Sequence, residues 1–374
     1  MRDFISNSIL FLLTIFISLL LSEFVVRQFF HPVDYLQPIL EDDPILSHRI
    51  SPNSGGHDDW GFRNYERPSR VDIVAIGDSQ TYGVSARSHQ SWPAHLSKIS
   101  ELSTYNMALG GYGPLQYLHL LKSKALELKP KTVIVGLYFG NDFLDSYNRA
   151  YSVAQWAHYR NTEVTVPETP QNDVVIRPKN GRFLGSFRNW MAGKSVIYRL
   201  VTQSALGDKV RDEELVSGNQ DLVDLNFDKI RQTFTPNLRL KTVNLESPAV
   251  REGVRISKIA ISEMKAICAS RNIELLVVLI PTKELVYSEL IEIRFNDSMT
   301  NTFVSLVKNE TSIRDDLSDY LSNENISFVD VLPPLRRMAE KGEDLYPFND
   351  GHPNGFGYSV IANEVYFRGL QGRH

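Results

Sequence analysis

Five short apolar runs, separated by patterns typical of helices, constrain the fold of this 374-residue chain more than any other feature. In chain order, the runs read VDIVAIG (71–77), STYNMAL (103–109), KTVIVGLYFG (131–140), IELLVVLI (273–280) and ISFVDV (326–331). Near-continuous runs of Val, Ile and Leu are expected of strands buried on both faces of a parallel sheet. Helix candidates lie between the runs, at 91–100, 114–128 and 252–270. This alternation predicts an α/β fold built on a doubly wound parallel sheet.

The long interval between the third and fourth runs predicts an insertion. The third run ends at Gly140 and the fourth begins at Ile273, whereas one crossover helix needs far fewer residues. We assign 146–250 to this insertion, with loop and hairpin in ETPQNDVVIRPKNGRF (168–183). It leaves the carboxyl end of a strand, where such sheets bind ligands, and this origin suits a lid or substrate-recognition layer. The alternative is a surface decoration.

The first thirty residues predict a membrane anchor. The stretch from Phe4 to Val26 is apolar and matches the roughly 20 residues that cross the hydrocarbon core as a helix. A cleaved signal peptide would have a shorter apolar region, and here bulky Phe24 and Val25 follow Ser22, where a cleavage site would need small residues. We favour a retained single-pass anchor over a cleaved signal, with the following domain outside the cytoplasm, in the periplasm.

The composition after the anchor changes twice. Residues 31–66 are rich in Pro, Asp, Gly, Ser and Asn, which is typical of a tether. The strand and helix patterns then begin. The predicted organisation is therefore an anchor over 1–30, a tether over 31–66, and a domain over 67–374 that contains the insertion.

Charge and cysteine content exclude several classes of function. The net charge of −4 argues against a nucleic-acid partner, which usually meets a basic protein face. Cys268 is the only cysteine, so neither an internal disulfide nor a cysteine-based zinc site can form. The histidines show no metal-ligand spacing, and we predict no metal and no other cofactor.

The first apolar run ends on Gly77-Asp78-Ser79, which places a hydroxyl at the carboxyl end of a buried strand. Gly77 allows a sharp turn, and Ser79 then starts the next segment, where unpaired main-chain N–H groups point outward. A serine there has a hydroxyl beside donors suited to an oxyanion. The alternative is an ordinary helix N-cap, because Ser and Asp are preferred at that position.

Three further segments place polar groups at strand ends or after the last strand. NMALGGYG ends the second run with Gly111, YFGND ends the third with Asn141, and FNDGHPNGFGY supplies Asp350 and His352. Each alone is an ordinary turn or a surface histidine. Together they supply a nucleophile, a base, an orienting acid and oxyanion donors, which are the parts of an acyl-transfer site.

With these segments in place, the sequence resembles the SGNH (GDSL-type) hydrolase family. Four blocks match in order: Gly77-Asp78-Ser79 with Thr81, then Gly111, then Gly140-Asn141-Asp142, and finally Asp350 with His352. The match covers about residues 60–374 apart from the insertion. The resemblance implies a flavodoxin-like sheet of about five strands. It also implies Ser79 as nucleophile, His352 as base, and an oxyanion hole formed by the Ser79 and Gly111 N–H groups and the Asn141 amide.

The last block departs from the usual pattern of the family. The acid of the family lies three residues before the histidine, and that position holds Asn349 in this chain. The carboxylate is Asp350, two residues before His352, a D-x-H spacing that looks like that of exopolysaccharide O-acetyltransferase relatives. An amide would not stabilise an imidazolium as a carboxylate does, so we assign Asp350 as the orienting acid.

Four other residues could lie near the site, and two of them, Lys283 and Arg63, have two interpretations each. Lys283 follows the fourth run and could bind an anionic substrate group, or form a solvent-exposed ion pair with Glu284. Arg63 could reach the same cleft, or could only pack the tether onto the domain. Asp78 and Asp142 are expected to be structural and to accept main-chain N–H bonds.

These observations give three functional hypotheses. The first is a membrane-anchored serine esterase that removes O-acyl groups, chiefly acetyl, from a carbohydrate or glycoconjugate. The second is an O-acetyltransferase that moves an acyl group onto a polysaccharide by the same Ser-His-Asp triad. The third is a catalytically inactive protein that binds carbohydrate or assists assembly. The expected partners are an acylated carbohydrate or other ester and the membrane.

Overall fold

The computed structural model describes residues 2–161, 185–202, 223–227, 230–291 and 297–371. Two compact units divide the chain. The first comprises Met1–Glu41, Ile50–Gly61 and Val175–Asn219, and the second comprises Asp42–Arg49, Phe62–Val174 and Gln220–His374. Residues 42–49 and 62–66, interpreted above as tether, thus belong to the unit that contains the predicted sheet.

The strands of the described residues agree closely with the apolar runs. They are β1 (Leu40–Asp43), β2 (Ser47–Ile50), β3 (Ile73–Gly77), β4 (Thr104–Ala108), β5 (Thr132–Tyr138), β6 (Val223–Phe227), β7 (Ile230–Phe234), β8 (Glu274–Ile280) and β9 (Ser327–Asp330). Each of the five runs contains one strand of the central sheet, and each strand is one to three residues shorter than its run.

The α-helices fill the intervals between the strands. They are α1 (Arg2–Phe29), α2 (Ser79–Tyr82), α3 (Trp92–Ser100), α4 (Pro114–Ser123), α5 (Asp142–Ser152), α6 (Gly185–Lys194), α7 (Val196–Thr202), α8 (Pro236–Val243), α9 (Pro248–Ala269), α10 (Lys283–Val286), α11 (Ser288–Ile291), α12 (Asp297–Asn323), α13 (Leu332–Glu340) and α14 (Gly355–Glu364). The helix expected over 114–128 ends at Ser123 and continues as a 3₁₀ turn, Ala125–Leu128.

The central sheet is parallel, with the strand order β4-β3-β5-β8-β9. In order along the chain this is 2-1-3-4-5, the order of flavodoxin-like doubly wound sheets. Because crossovers between parallel strands are right-handed, the reversal after the first strand places helices on both faces of the sheet. The predicted fold class, with about five strands, is confirmed. The reversal also opens the crevice between the carboxyl ends of β3 and β5, where such folds bind ligands.

Burial explains the continuous apolar pattern. Every residue of β3 and of β5 is buried, as expected of strands covered on both faces. Helical spacing predicts that Ile256, Ala260, Met264 and Ile267 form one apolar stripe of α9. The first three are fully buried, whereas Ile267 is half-buried and Cys268 completes the buried stripe. Fully burying a side chain of this size stabilises a fold by roughly 1.5–3 kcal/mol.

Only parts of the predicted insertion lie within the described residues. The loop and hairpin expected at 168–183 fall outside them. The last part of the insertion is described and lies in the second unit: β6 and β7 form an antiparallel hairpin, and α8 follows.

In the first unit, α1 is the apolar helix expected at the N-terminus. Its segment Ile5–Phe29 contains an 18-residue window with a mean hydropathy of 2.6, which suits a membrane anchor or a signal sequence. Near its end, Glu23 accepts hydrogen bonds from Ser195 Oγ at 2.9 Å and from the Val196 N–H at 2.7 Å. Arg27 pairs with Glu23 and donates to the Lys194 carbonyl. The last turns of α1 are therefore bonded to the start of α7.

Candidate active site

Close packing explains the glycines that precede the site. Gly77, the last residue of β3, is paired with Gly136 of β5. A Cβ on Gly77 would lie 2.1 Å from Thr81 Oγ1, and one on Gly136 would lie 2.2 Å from the same atom. Both distances are much shorter than an ordinary van der Waals contact. Glycine at these two positions lets Thr81, and with it helix α2, pack directly on the sheet.

Asp78 is the residue that caps helix α2. Its Oδ1 accepts the main-chain N–H of Gln80 at 2.9 Å, and the carboxyl group is fully buried. Burial raises the pKa of Asp78 to about 6, although the hydrogen bond from Gln80 lowers it. Ser79 is the first residue of the helix and is half-buried. Since Asp78 fills the capping role, the Ser79 hydroxyl can interact elsewhere.

Ser79, His352 and Asp350 form a hydrogen-bonded chain. Ser79 Oγ lies 2.8 Å from His352 Nε2, and His352 Nδ1 lies 2.6 Å from Asp350 Oδ1. The longer distance of 3.3 Å from Ser79 Oγ to Asp78 Oδ2 makes the imidazole the nearer partner of the hydroxyl. The structure thus brings together three residues that are separated in sequence by up to 273 positions. Their order is that of a nucleophile, a general base and an orienting acid.

The carboxylate of Asp350 is held in its charged form. Its Oδ1 also accepts the main-chain N–H of His352 at 2.9 Å, and its Oδ2 accepts the hydroxyl of Ser85. Burial disfavours the charged carboxylate, but the bonds from His352 and Ser85 outweigh it and hold the pKa of Asp350 well below its usual value. An ionised carboxylate at Nδ1 can stabilise an imidazolium.

The loop after β4 approaches the nucleophile closely. A Cβ on Gly110 would lie 3.4 Å from Ser79 Cβ, so this loop passes directly beside the serine. Gly111 has a φ of 78°, a left-handed conformation that glycine adopts without strain. The ring of His48 holds the loop from behind, with Nε2 at 2.9 Å from the Gly110 carbonyl oxygen. This places Gly111, the predicted donor, in the loop that lies against Ser79.

Asn141 lies at the carboxyl end of β5, on the other side of Ser79. Its Nδ2 donates to Asp145 Oδ2 at 2.5 Å, and the main-chain N–H of Asp145 bonds to the Asn141 carbonyl. An amide nitrogen carries two hydrogens, so one bond fixes its orientation and leaves the second hydrogen for another acceptor. The role of Asn141 as an oxyanion donor stays a prediction, with Asp145 as the residue that orients it.

Asp142 stabilises the loop between β5 and α5 through hydrogen bonds. It is fully buried and accepts the Tyr138 N–H and the Tyr117 hydroxyl, each at 2.9 Å. Burial, reinforced by nearby Asp78, raises the pKa of Asp142 well above its usual value. These bonds agree with the structural role expected of Asp142.

Lys283 differs from both of its interpretations. Its side chain is 1% exposed, so it forms no solvent-exposed ion pair. Its ammonium donates to main-chain carbonyl groups of Thr233, Phe348 and Asp350, a use of its charge that neither interpretation included. A lysine followed by a glutamate on an apparent turn is usually exposed, and nothing local in the sequence signals that this one is buried.

Arg63 packs the segment before β3 onto the domain. Its guanidinium donates to the carbonyls of Gly83 at 2.6 Å and Ala86 at 2.9 Å, and lies 4.8 Å from the centre of the Tyr82 ring. These contacts hold the turn that carries Ser85. These contacts agree with the packing interpretation, and substrate binding by Arg63 stays a prediction.

Three residues near the site had no assignment from sequence. They are Ser85, which bonds to Asp350; Asp145, which bonds to Asn141; and Arg239, whose Nη1 lies 3.4 Å from the Gly140 carbonyl. Asp145 follows Asn141 by four residues, a spacing that brings side chains together at a helix start and could have signalled the contact. Ser85 and Arg239 reach the site only through the tertiary fold. Among the described ranges, no group of three or more His, Cys, Asp or Glu is arranged to hold a metal.

Comparisons with known proteins find structural similarity only. No protein-family profile matches the chain, and no curated protein matches it. Three solved structures cover most of it. A member of the lipolytic protein G-D-S-L family from Veillonella parvula is 12% identical and covers 80% of this chain and 98% of its own, with a TM-score of 0.35. A catalytic mutant of an acetylxylan esterase from Geobacillus stearothermophilus is 10% identical and covers 82% of this chain and 97% of its own, with a TM-score of 0.38.

The third is an alpha/beta hydrolase enzyme from the metagenome of Lake Arreo, Spain. It is 13% identical, with 81% of this chain and 96% of its own covered and a TM-score of 0.36. At such identities and TM-scores, none of the three similarities carries an activity or a substrate over to this chain.

Proposed function

We propose that this protein is a serine esterase that hydrolyses O-acyl esters, chiefly acetyl esters of a carbohydrate or glycoconjugate. The observation that carries the proposal is the chain from Ser79 Oγ to His352 Nε2 at 2.8 Å and from His352 Nδ1 to Asp350 Oδ1 at 2.6 Å. This arrangement lies at the carboxyl edge of the sheet, where α/β folds bind ligands. A serine hydroxyl becomes a nucleophile only when a base takes its proton, and the 2.8 Å distance to His352 Nε2 supports that role for His352.

The first chemical step forms an acyl-enzyme. Ser79 Oγ attacks the ester carbonyl carbon while His352 Nε2 takes the hydroxyl proton. The carbonyl oxygen becomes an oxyanion, which accepts hydrogen bonds from the Ser79 and Gly111 N–H groups and from Asn141 Nδ2. The intermediate then collapses, the ester C–O bond breaks, and the imidazolium returns the proton to the leaving alkoxide. The sugar hydroxyl leaves and the acyl group stays on Ser79.

Asp350 makes both proton transfers easier without becoming protonated. Its Oδ1 fixes the Nδ1–H tautomer, so that Nε2 is the nitrogen that faces Ser79 with a lone pair. The negative charge then stabilises the imidazolium that exists between the two transfers. In the second half of the cycle, water attacks the acyl carbonyl carbon while His352 takes a proton from the water. The bond from that carbon to Ser79 Oγ then breaks, the imidazolium returns the proton to Ser79 Oγ, and the carboxylic acid leaves.

O-acetyl transfer to a polysaccharide hydroxyl is the second candidate, and the D-x-H spacing of Asp350 and His352 favours it. That spacing resembles exopolysaccharide O-acetyltransferase relatives, and both reactions pass through the same acyl-enzyme. The two differ only in whether water or a sugar hydroxyl attacks it. We propose in either case that α1 anchors the protein in a membrane with its catalytic unit outside the cytoplasm.

Trapping with a fluorophosphonate tests the proposal. The full chain is treated in detergent, and the adduct is located by peptide mass spectrometry, with Ser79→Ala as the control. We expect one adduct, on Ser79, and release of acetate from an aryl acetate that the control lacks. A sugar acceptor that gains acetyl at the expense of free acetate would indicate transfer instead. Absence of an adduct, with glycan binding intact, would support the inactive binding protein.

A further inference from the structure

Lys283 occupies an environment that its sequence position does not explain. It lies after β8, it is 1% exposed, and its Nζ donates to four main-chain carbonyl groups. The acceptors and distances are Thr233 at 3.0 Å, Asp350 at 3.1 Å, Phe348 at 3.2 Å and Pro347 at 3.4 Å. The ammonium also lies 5.4 Å from the centre of the Phe234 ring and 5.8 Å from that of Tyr346.

A buried ammonium is costly unless its surroundings replace the water it has lost. Here four carbonyl dipoles and two aromatic faces do so, and an ammonium has three hydrogens to share among the carbonyls. A methionine of similar length would fill the space but remove the donor that these four carbonyls share. The Lys283 ammonium therefore links the segments that carry them.

The segments that meet at Lys283 are strand β7 and the turn that precedes His352. The Thr233 N–H donates to the Phe348 carbonyl at 2.8 Å. Gln232 Nε2 donates to Asp344 Oδ1 and to the Tyr346 carbonyl, both at 2.8 Å. Residues 344–350 thus lie along the end of the insertion, and the ammonium joins them at Asp350, the orienting acid.

We propose that Lys283, together with strand β7, is a positioning residue that fixes Asp350 and His352 against Ser79. The inference rests on the proposed function of the three residues. It makes the end of the insertion part of the catalytic scaffold rather than a detachable lid.

The charges around Lys283 decide how its contribution to stability changes with pH. Burial is the largest influence and lowers the pKa of Lys283 from 10.5 to about 8, against the attraction of Glu284, Asp350 and Asp344 and with a contribution in the same direction from Arg239. Between pH 8 and 10.5 the unfolded chain keeps this proton and the native state loses it. Linkage therefore makes this group raise the stability with pH in that window. Loss of the proton is therefore not expected to release the turn that precedes His352.

The test compares Lys283→Met with Lys258→Met in the full chain. Lys258 is a matched control because it pairs with Asp316 and lies 5.0 Å from the Tyr320 ring, and it has no contact with the His352 turn among the described residues. We expect Lys283→Met to lower kcat on an aryl acetate about 10²-fold, as misplacement of a catalytic group by ~1 Å does, with little change in KM. Hydrogen exchange over 344–354 should become faster. Lys258→Met should leave both measurements unchanged.

A kcat in Lys283→Met equal to that of the wild type, with the exchange pattern intact, would overturn the proposal. If Ser79→Ala abolishes activity and Lys283→Met does not change it, this inference fails alone. If the wild type neither turns over nor labels, the proposed function fails, and hydrogen exchange still tests the positioning.

Discussion

Asp350 accepts two bonds from His352 on a single oxygen, one from Nδ1 and one from the main-chain N–H. A spacing of two residues suits this geometry, because the carboxylate turns back over its own backbone as in an Asx turn. The second oxygen is taken by Ser85. The departure of this chain from the usual three-residue spacing therefore still gives a carboxylate in contact with the imidazole.

Replacing Asp350 by Asn tests the role of its charge. The amide would present an N–H group toward Nδ1 and favour the wrong tautomer, so we expect kcat to fall about 10⁴-fold, as loss of such a carboxylate does in serine proteases. Ser85→Ala is the control, since it removes one hydrogen bond and keeps the charge. Steady-state kinetics should show a much smaller loss for Ser85→Ala. Equal losses in the two variants would argue against an electrostatic role for Asp350.

Sequence motifs pointed to Ser79 and His352, which the structure brings within hydrogen-bond distance, but not to several residues that contact them. Ser79 and Asn141 are recognisable as candidates because each lies in a short motif after a buried strand. The supporting role of Lys283 is not recognisable from sequence, because its acceptors are main-chain carbonyls about fifty to seventy positions away and carry no sequence signal. Contacts of this kind depend on the tertiary fold alone.

At the scale of elements, helices α5 and α9 cross in unusually close contact. A Cβ on Gly253 of α9 would lie 1.9 Å from the Phe143 carbonyl oxygen of α5. The backbones can approach this closely only because Gly253 has no side chain. Since α5 begins immediately after Asn141, this crossing helps to fix the end of β5 at the site.

Gly253→Ala should therefore destabilise the protein, although alanine is the better helix former. We expect the free energy of unfolding to fall by about 1–3 kcal/mol, the usual cost of overpacking. Gly193→Ala in α6 is the matched control, because its added methyl group would lie 3.4 Å from the Gln37 carbonyl oxygen, an ordinary contact. Chemical denaturation of both variants gives the comparison. A stabilised Gly253→Ala would contradict the close crossing of α5 and α9.

Strand positions were predictable because a strand buried on both faces must be apolar throughout, as β3 and β5 are. Helix ends were less predictable. The segment after α4 tightens into a 3₁₀ turn, and it contains no proline or glycine that would mark the change in the sequence. Strand β7 could not be assigned to the site from sequence, because Thr233 and Gln232 act through bonds to distant residues.

At the scale of the whole molecule, the bonds of α1 bear on whether the N-terminal segment is kept. Glu23 accepts bonds from Ser195 Oγ and from the Val196 N–H, and Arg27 donates to the Lys194 carbonyl. Removing α1 would leave these groups at the start of α7 without their partners. A segment used only for export would have no reason to make such contacts.

We therefore expect the mature protein to keep its first thirty residues. Intact-mass measurement of protein purified from the membrane fraction should give the full-length chain, and the protein should resist extraction by carbonate. Glu23→Ala should keep the protein in the membrane, because the apolar stretch is unchanged, while increasing protease cleavage near residues 194–197. A mature mass that starts after residue 22, with protein in the soluble fraction, would show that α1 is a signal sequence.

In the proposed mechanism, Ser79 carries the acyl group during turnover. This acyl group can be detected by mixing the protein with an aryl acetate, quenching in acid during turnover, and locating any acetyl group by peptide mass spectrometry. We expect an acetyl group on Ser79 in the wild type and none in His352→Ala, which lacks the base. Turnover by the wild type with an unmodified Ser79, or with the acetyl group on another residue, would contradict it.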